Sequence, residues 1–209
     1  MPPTPPPGAP HTPSRPTDPK AIRALAHPIR LDLLEYLGRS NPATAAECGR
    51  ALGVSQANCS FHLRQLAKYG FVEDAGPGTD KRERRWRAVA RQISVAGPGT
   101  DSPAGRHLKR VAVQREADLL LAYVDAAQAE PDTWRAAFGS RGTTVALTAA
   151  EAADLKARWR ELVAPFEERM LTGDFELSDG QRVVRYFMAA TPLPTTPDHQ
   201  GAENDDAED

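Results

Sequence analysis

The sequence predicts a mainly α fold with a small amount of β, and three observations carry that prediction. Apolar residues recur at spacings of three and four along most of the chain, behind Asp, Thr and Ser residues suited to helix starts. Two of those starts, Thr44 and Ser55, lie eleven residues apart around the tight turn Gly53-Val54-Ser55, the layout of two helices joined by a short turn. One stretch, Phe71 to Ala90, places two strand-like runs about the glycine-rich segment GPGTDKRE, as in a β-hairpin.

Taken in order, residues 1–17 hold eight prolines and are expected to be a disordered, extended arm. Asp18-Pro19 supplies an N-cap and a first-turn proline, and Ile22 and Leu25 open an apolar stripe. His27-Pro28 interrupts it, and a second helix carries Ile29, Leu33, Leu34 and Leu37 to Gly38. Thr44-x-x-Glu47 is a capping box before Cys48, Ala51 and Leu52, and Ser55 caps a helix containing Cys59, Leu63 and Leu66. Arg84 to Ala90 is the returning strand of the hairpin. AGPGTD occurs at 75–80 and again at 96–101, both read as permissive turns, the second inside a linker at 93–102.

Beyond Pro103 a long helix should run to about Glu130. Val113, Ala117, Leu120, Val124 and Ala127 alternate spacings of four and three, a heptad-like seam expected to be a dimer interface. A small α+β module then reads strand (Thr143 to Leu147), helix with Leu155, Trp159, Leu162 and Phe166 on one face, and strand (Arg182 to Ala190). The long helix and this α+β unit together make residues 103–192 a dimerisation and effector module, and 193–209 are expected to be a disordered acidic tail.

Composition narrows the function. The 209 residues are 40% apolar, enough for a core and one large or two small domains. No apolar run reaches the roughly 18 residues of a membrane span, and no apolar block marks a secretory signal. Two cysteines cannot build a disulfide framework, so a reducing cytoplasm is the expected compartment. Residues 18–92 carry 13 Lys/Arg against 8 Asp/Glu, while 93–209 carry 12 against 20. A basic front half joined to an acidic back half suits a polyanion partner for the front half alone.

The helix after Ser55 has two faces. Cys59, Leu63 and Leu66 must point inward, which leaves Ala57, Phe61, Arg64 and Lys68 outside, flanked by Gln56, Asn58 and Ser60. Small residues allow close approach to a major groove, amides and Arg hydrogen-bond base edges, and an aromatic group can touch a thymine methyl. Base readout therefore falls to Gln56, Ala57, Asn58, Ser60, Phe61 and Arg64, with Ser55 and Lys68 at phosphates. On the hairpin, Lys81, Arg82, Arg84, Arg85 and Arg87 suit further phosphate contacts, while alternation turns Trp86 inward.

LAHPIRLDLLEYL, then TAAECGRALGVSQANCSFHLRQLAKYGFVE, then the basic hairpin together resemble the winged helix-turn-helix of ArsR-type transcriptional regulators over residues 18–92. The resemblance implies a homodimer on a palindromic operator in double-stranded DNA, usually repressing until an effector binds. It places Gln56, Ala57, Ser60 and Phe61 at the recognition positions. The expected architecture is thus a winged helix-turn-helix, a long dimerisation helix and a small α+β C-terminal module with room for a small-molecule effector. The family's metal sites do not carry over: Ala43-Thr44-Ala45-Ala46-Glu47 stands where its paired cysteines would fall, and the long helix has His107 alone. No metal or other cofactor is expected. No nucleophile elbow, phosphate loop or Cys/His pair supports an enzyme. The other function class is a winged-helix protein-interaction module that binds no DNA, suggested by Phe61 on the outer face.

Overall fold

The computed structural model describes residues 18–39, 42–78, 83–90, 101–172 and 177–194. Its elements are α1 (Pro19–Leu25), α2 (Pro28–Arg39), β1 (Ala43–Thr44), α3 (Ala45–Leu52), α4 (Gln56–Lys68), β2 (Val72–Pro77), β3 (Arg84–Ala88), α5 (Pro103–Ala126), α6 (Asp132–Ala137) and α7 (Ala149–Thr172), with a 3-10 turn at Ala127–Ala129. The Pro-rich arm, most of the linker, hairpin-tip residues Lys81 and Arg82, and the acidic tail from residue 195 onward lie outside the described residues.

Local chemistry sets the helix boundaries. The Asp18 carboxylate accepts from the Lys20 N–H at 2.9 Å, capping α1, and Pro19 fills a first-turn position that needs no donor. Pro28 opens α2 after the break at Ala26-His27. Thr44 and Glu47 cap each other reciprocally: the Thr44 N–H donates to the Glu47 carboxylate at 2.6 Å, and the Glu47 N–H to the Thr44 hydroxyl at 3.2 Å. Those hydrogen bonds hold the Glu47 carboxyl below its ordinary range.

The core is built from the inward faces of α1 to α4, with Ile22, Leu25, Leu33, Cys48, Cys59, Leu63 and Leu66 fully buried, and Phe71, Val72 and Trp86 sealing it from the sheet. The sheet is antiparallel in the order β1-β3-β2, and Trp86 pairs with Ala43 on one side and Asp74 on the other. The two-residue strand β1 was not apparent in the sequence. It converts the expected two-stranded hairpin into a three-stranded sheet anchored to α3.

α5 begins inside this same core. Ser102 accepts from the Gly105 N–H at 3.1 Å, and Ala104 and Leu108 are buried against the N-terminal helices. Farther along, Arg115 donates to Asp32 and Glu35 of α2, both at 2.6 Å, from a side chain only 12% exposed. The two carboxylates stand one helical turn apart, so a single planar guanidinium bridges both. The long helix expected to about Glu130 ends at Ala126 before the 3-10 turn, and α6 was not anticipated.

The C-terminal half departs from expectation. The segments 143–147 and 182–190, read as strands, carry neither helix nor strand. β-branched and aromatic residues favour a strand only where a neighbouring strand takes their backbone hydrogen bonds, and none of the described residues does so here. α7 forms as expected around Leu155, Trp159, Leu162 and Phe166, and continues through Pro165. The chain divides into two compact units at Glu176/Leu177. In the second unit the described residues are 177–194, with a turn at Asp179-Gly180 and Gly180 at φ +77°.

Candidate nucleic-acid interface

Close approach of backbone positions α4. Gly53 ends α3 in the left-handed region at φ +67°, and the Val54 N–H returns to the Gly49 carbonyl at 3.0 Å. A Cβ on Gly49 would stand 2.7 Å from the Val54 carbonyl oxygen, so α3 and the turn meet at a distance only glycine permits. The Ser55 hydroxyl then accepts from the Asn58 N–H at 3.2 Å and starts α4.

The faces of α4 separate as expected. Cys59, Leu63 and Leu66 are fully buried, while Ser55, Gln56, Ala57, Asn58, Phe61, Arg64 and Lys68 are exposed or partly so, and Ser60 is half-buried. Phe61 is 52% exposed, a large apolar group outside the core. The Arg64 guanidinium donates to the Ser60 hydroxyl at 2.8 Å, which holds it along the helix. Gln56, Ser60 and Arg64, at spacings of four, form one wall of a groove of about 330 Å³. Thr44, Ala45, Glu83, Arg84 and Trp86 form the other. Ala57 and Phe61 lie outside this lining.

Hairpin cations are placed less simply than their spacing suggests. Arg84 pairs with Asp74 at 2.9 Å, and its guanidinium lies 5.5 Å from the Trp86 ring centre. Arg87 donates to Glu73 at 3.0 Å. All four side chains are about half exposed, so these pairs contribute little and exchange readily. Arg85 differs: it is half-buried and donates through Nε to the Pro42 carbonyl at 2.7 Å, which ties β3 to the entry of β1. Trp86 is buried, as alternation required.

The inward side of α4 carries one further residue. His62 is buried, with its ring centre 4.6 Å from that of His27 and 5.1 Å from that of Phe61. The Nδ1 atoms of both histidines and the Nε of Arg30 are buried without a hydrogen-bond partner. Burial, with Arg30 nearby, lowers the pKa of both imidazoles below 6.5. No sequence signal reveals the pair, because His27 and His62 meet only through packing of the α1–α2 corner on α4. Burial also pushes the Cys48 thiol up to about 12 and raises that of Cys59, which makes both behave as small apolar core residues. Among the described residues, no group of three or more His, Cys, Asp or Glu could hold a metal ion.

Residues 25–75 match a family model described as a helix-turn-helix domain. Within that segment α3, the Gly53 turn and α4 form the helix-turn-helix. With the β2–β3 hairpin and β1 beside it, the helix-turn-helix carries a wing, as the resemblance over residues 18–92 implied. A curated relative, the "Probable mercury resistance operon repressor" of Streptomyces lividans, is 43% identical over 56 residues, which are 27% of this chain and 44% of that protein. The chain therefore spans less than half the length of this relative. Among solved structures, the chain is similar to FabT of Streptococcus pneumoniae in complex with DNA, with 13% identity, a TM-score of 0.27 and coverage of 67% of this chain and 75% of that one. It is also similar to ZitR of Lactococcus lactis in an apo form, with 16% identity, a TM-score of 0.30 and coverage of 69% and 83%.

Proposed function

We propose that this chain is a sequence-specific DNA-binding transcription regulator that acts as a homodimer on a palindromic operator. The observation that carries this reading is the outward face of α4: Gln56, Ala57, Asn58, Ser60, Phe61 and Arg64 stand clear of the core on a helix fixed by a glycine-tight turn. Amides, a small residue, an aromatic group and a guanidinium in that order suit the donor, acceptor and methyl pattern of a major groove. Repression is favoured over activation by the 56-residue likeness to a repressor. The family resemblance leaves room for an effector that relieves it.

Ser55 and Lys68 mark the two ends of α4 for phosphates, and Lys81, Arg82, Arg84 and Arg87 extend the contact along the wing. Arg85 is better assigned to holding β1 and β3 together through Pro42. Val113, Ala117, Leu120 and Val124 supply the seam of α5, and Ala127 of the same row falls in the 3-10 turn just beyond it. Among the described residues no helix is long and apolar enough to cross a membrane.

The test is a salt titration of binding to random duplexes and to fragments selected from genomic DNA. Binding that weakens steeply with salt and favours selected fragments at least a thousandfold is expected. Absence of affinity for any duplex at low salt overturns the reading. The half-exposed Phe61 would then favour the second reading, a winged-helix module that binds an acidic protein partner.

A further inference from the structure

Two helices leave matching apolar faces uncovered in a single chain. On α5, Val113, Leu120 and Val124 are 54%, 45% and 62% exposed; on α7, Leu155, Leu162 and Phe166 are 56%, 65% and 59% exposed. Ala117 and Trp159 complete the two rows and are half-buried. The rows 113, 117, 120, 124 and 155, 159, 162, 166 have the same spacing of four, three and four. Each spans eleven residues, about 17 Å of helix. Equal lengths and equal periods are what side chains of one helix need to interdigitate with those of another.

We propose that α7 of one chain packs through Leu155, Trp159, Leu162 and Phe166 onto the Val113–Val124 face of α5 in a second copy of this chain. The contact is reciprocal, so each copy both covers and is covered, and a two-fold axis closes the assembly. Burying both rows removes on the order of 600–800 Å² per chain from water, close to the roughly 800 Å² per partner of a standard interface. This inference rests on the homodimer proposed above and gives it a second surface, contributed by the C-terminal half.

The experiment is sedimentation velocity on three full-length chains: the wild type, Leu120→Lys and Leu162→Asp. Both substituted positions are exposed in a single chain, and circular dichroism checks that each variant keeps its helix content. A dimeric wild type is expected, with each variant dissociating at least tenfold more readily. An equimolar mixture of the two variants should restore the dimer, because Lys on α5 of one copy then meets Asp on α7 of the other. A monomeric wild type, variants that remain dimeric, or a mixture that stays dissociated each overturns the pairing; the last outcome points to α5 on α5 and α7 on α7. Random-duplex titration of the wild type reports separately on the DNA reading. A dimer without DNA affinity sinks that reading alone, and DNA binding by α7 variants that remain dimeric sinks the pairing alone.

Discussion

Gly49 and Gly53 stand four residues apart and are needed for different reasons. At Gly49 the obstacle is contact, since a methyl group would meet the Val54 carbonyl at 2.7 Å, and backbone rather than a flexible side chain must give way. At Gly53 there is open space, and only the positive φ penalises a side chain. Gly49→Ala should therefore lower the unfolding free energy by about 1–3 kcal/mol and weaken DNA binding through a shifted α4. Gly53→Ala should cost about 1 kcal/mol and leave specificity alone. Urea unfolding with parallel DNA titrations checks both, and equal effects of the two would contradict this division. The histidine pair acts through protonation. Because His27 and His62 have pKa values lowered in the folded state, the unfolded chain binds more protons in the interval below 6.5. Their contribution is complete above that value and is lost as pH falls through the folded values. The melting temperature should decline from pH 7.5 to 5.5, and His62→Phe, which keeps a ring against His27 and Phe61, should make the decline shallower. An unchanged slope in the variant would rule out the pair as its origin.

At the scale of elements, the proposed function divides the work between α4 and the wing. Gln56 is exposed on the outer face of α4, so under the DNA reading proposed above Gln56→Ala should relax preference at one base pair by about 1–3 kcal/mol. Arg84 and Arg87 sit on a strand, and their exposed partners Asp74 and Glu73 release them at little cost. Replacing both with Gln should weaken binding to all duplexes and lower the salt slope by about 2, one for each phosphate no longer neutralised. Titrations over a salt series with selected and scrambled duplexes separate these outcomes, and a sequence-selective loss in the arginine variant would refute the division. The junction between α2 and α5 is a different kind of interaction between elements. Arg115 bridges Asp32 and Glu35 with little exposure, so Arg115→Ala removes the cation the two carboxylates share and leaves Glu35 with Arg39 at 3.0 Å. A loss of about 1–3 kcal/mol is expected, below the fully buried case because Asp32 and Glu35 remain partly solvated. Thermal unfolding measures it, and a double-mutant cycle with Asp32→Asn should recover part of the loss.

At the scale of the whole molecule, the described core lies in the N-terminal part, joined by Ala104 and Leu108 at the start of α5. Leu119 to Leu121, Val124, Leu155, Leu162 and Phe166 are exposed in one chain, the kind of apolar surface that marks interaction sites when it is contiguous. Two chains related by a two-fold axis would present two copies of α4. The operator is then expected to be an inverted repeat with half-site centres one helical turn apart, roughly 34–36 Å, or a multiple of that. Inserting about five base pairs, half a helical turn, between the half-sites should lower affinity at least tenfold, and inserting about ten should restore much of it. Equal affinity for all three spacings would argue for independent monomers.

The sequence by itself determined the helix-turn-helix, its wing and the outward face of α4, because those features rest on neighbours a few residues apart. Caps at Asp18, Thr44 and Ser55, the Gly53 turn and the spacing of Cys59, Leu63 and Leu66 are local chemistry, and local chemistry is legible in order along the chain. Only the tertiary structure brought His27 against His62, Arg115 between Asp32 and Glu35, Arg85 onto Pro42, and β1 onto β3, since each joins groups that no periodicity relates. The same distinction explains why 143–147 and 182–190 read as strands yet form none in a single chain. A helix closes its hydrogen bonds within itself and so follows from its own residues, but a strand exists only when another segment arrives to pair with it.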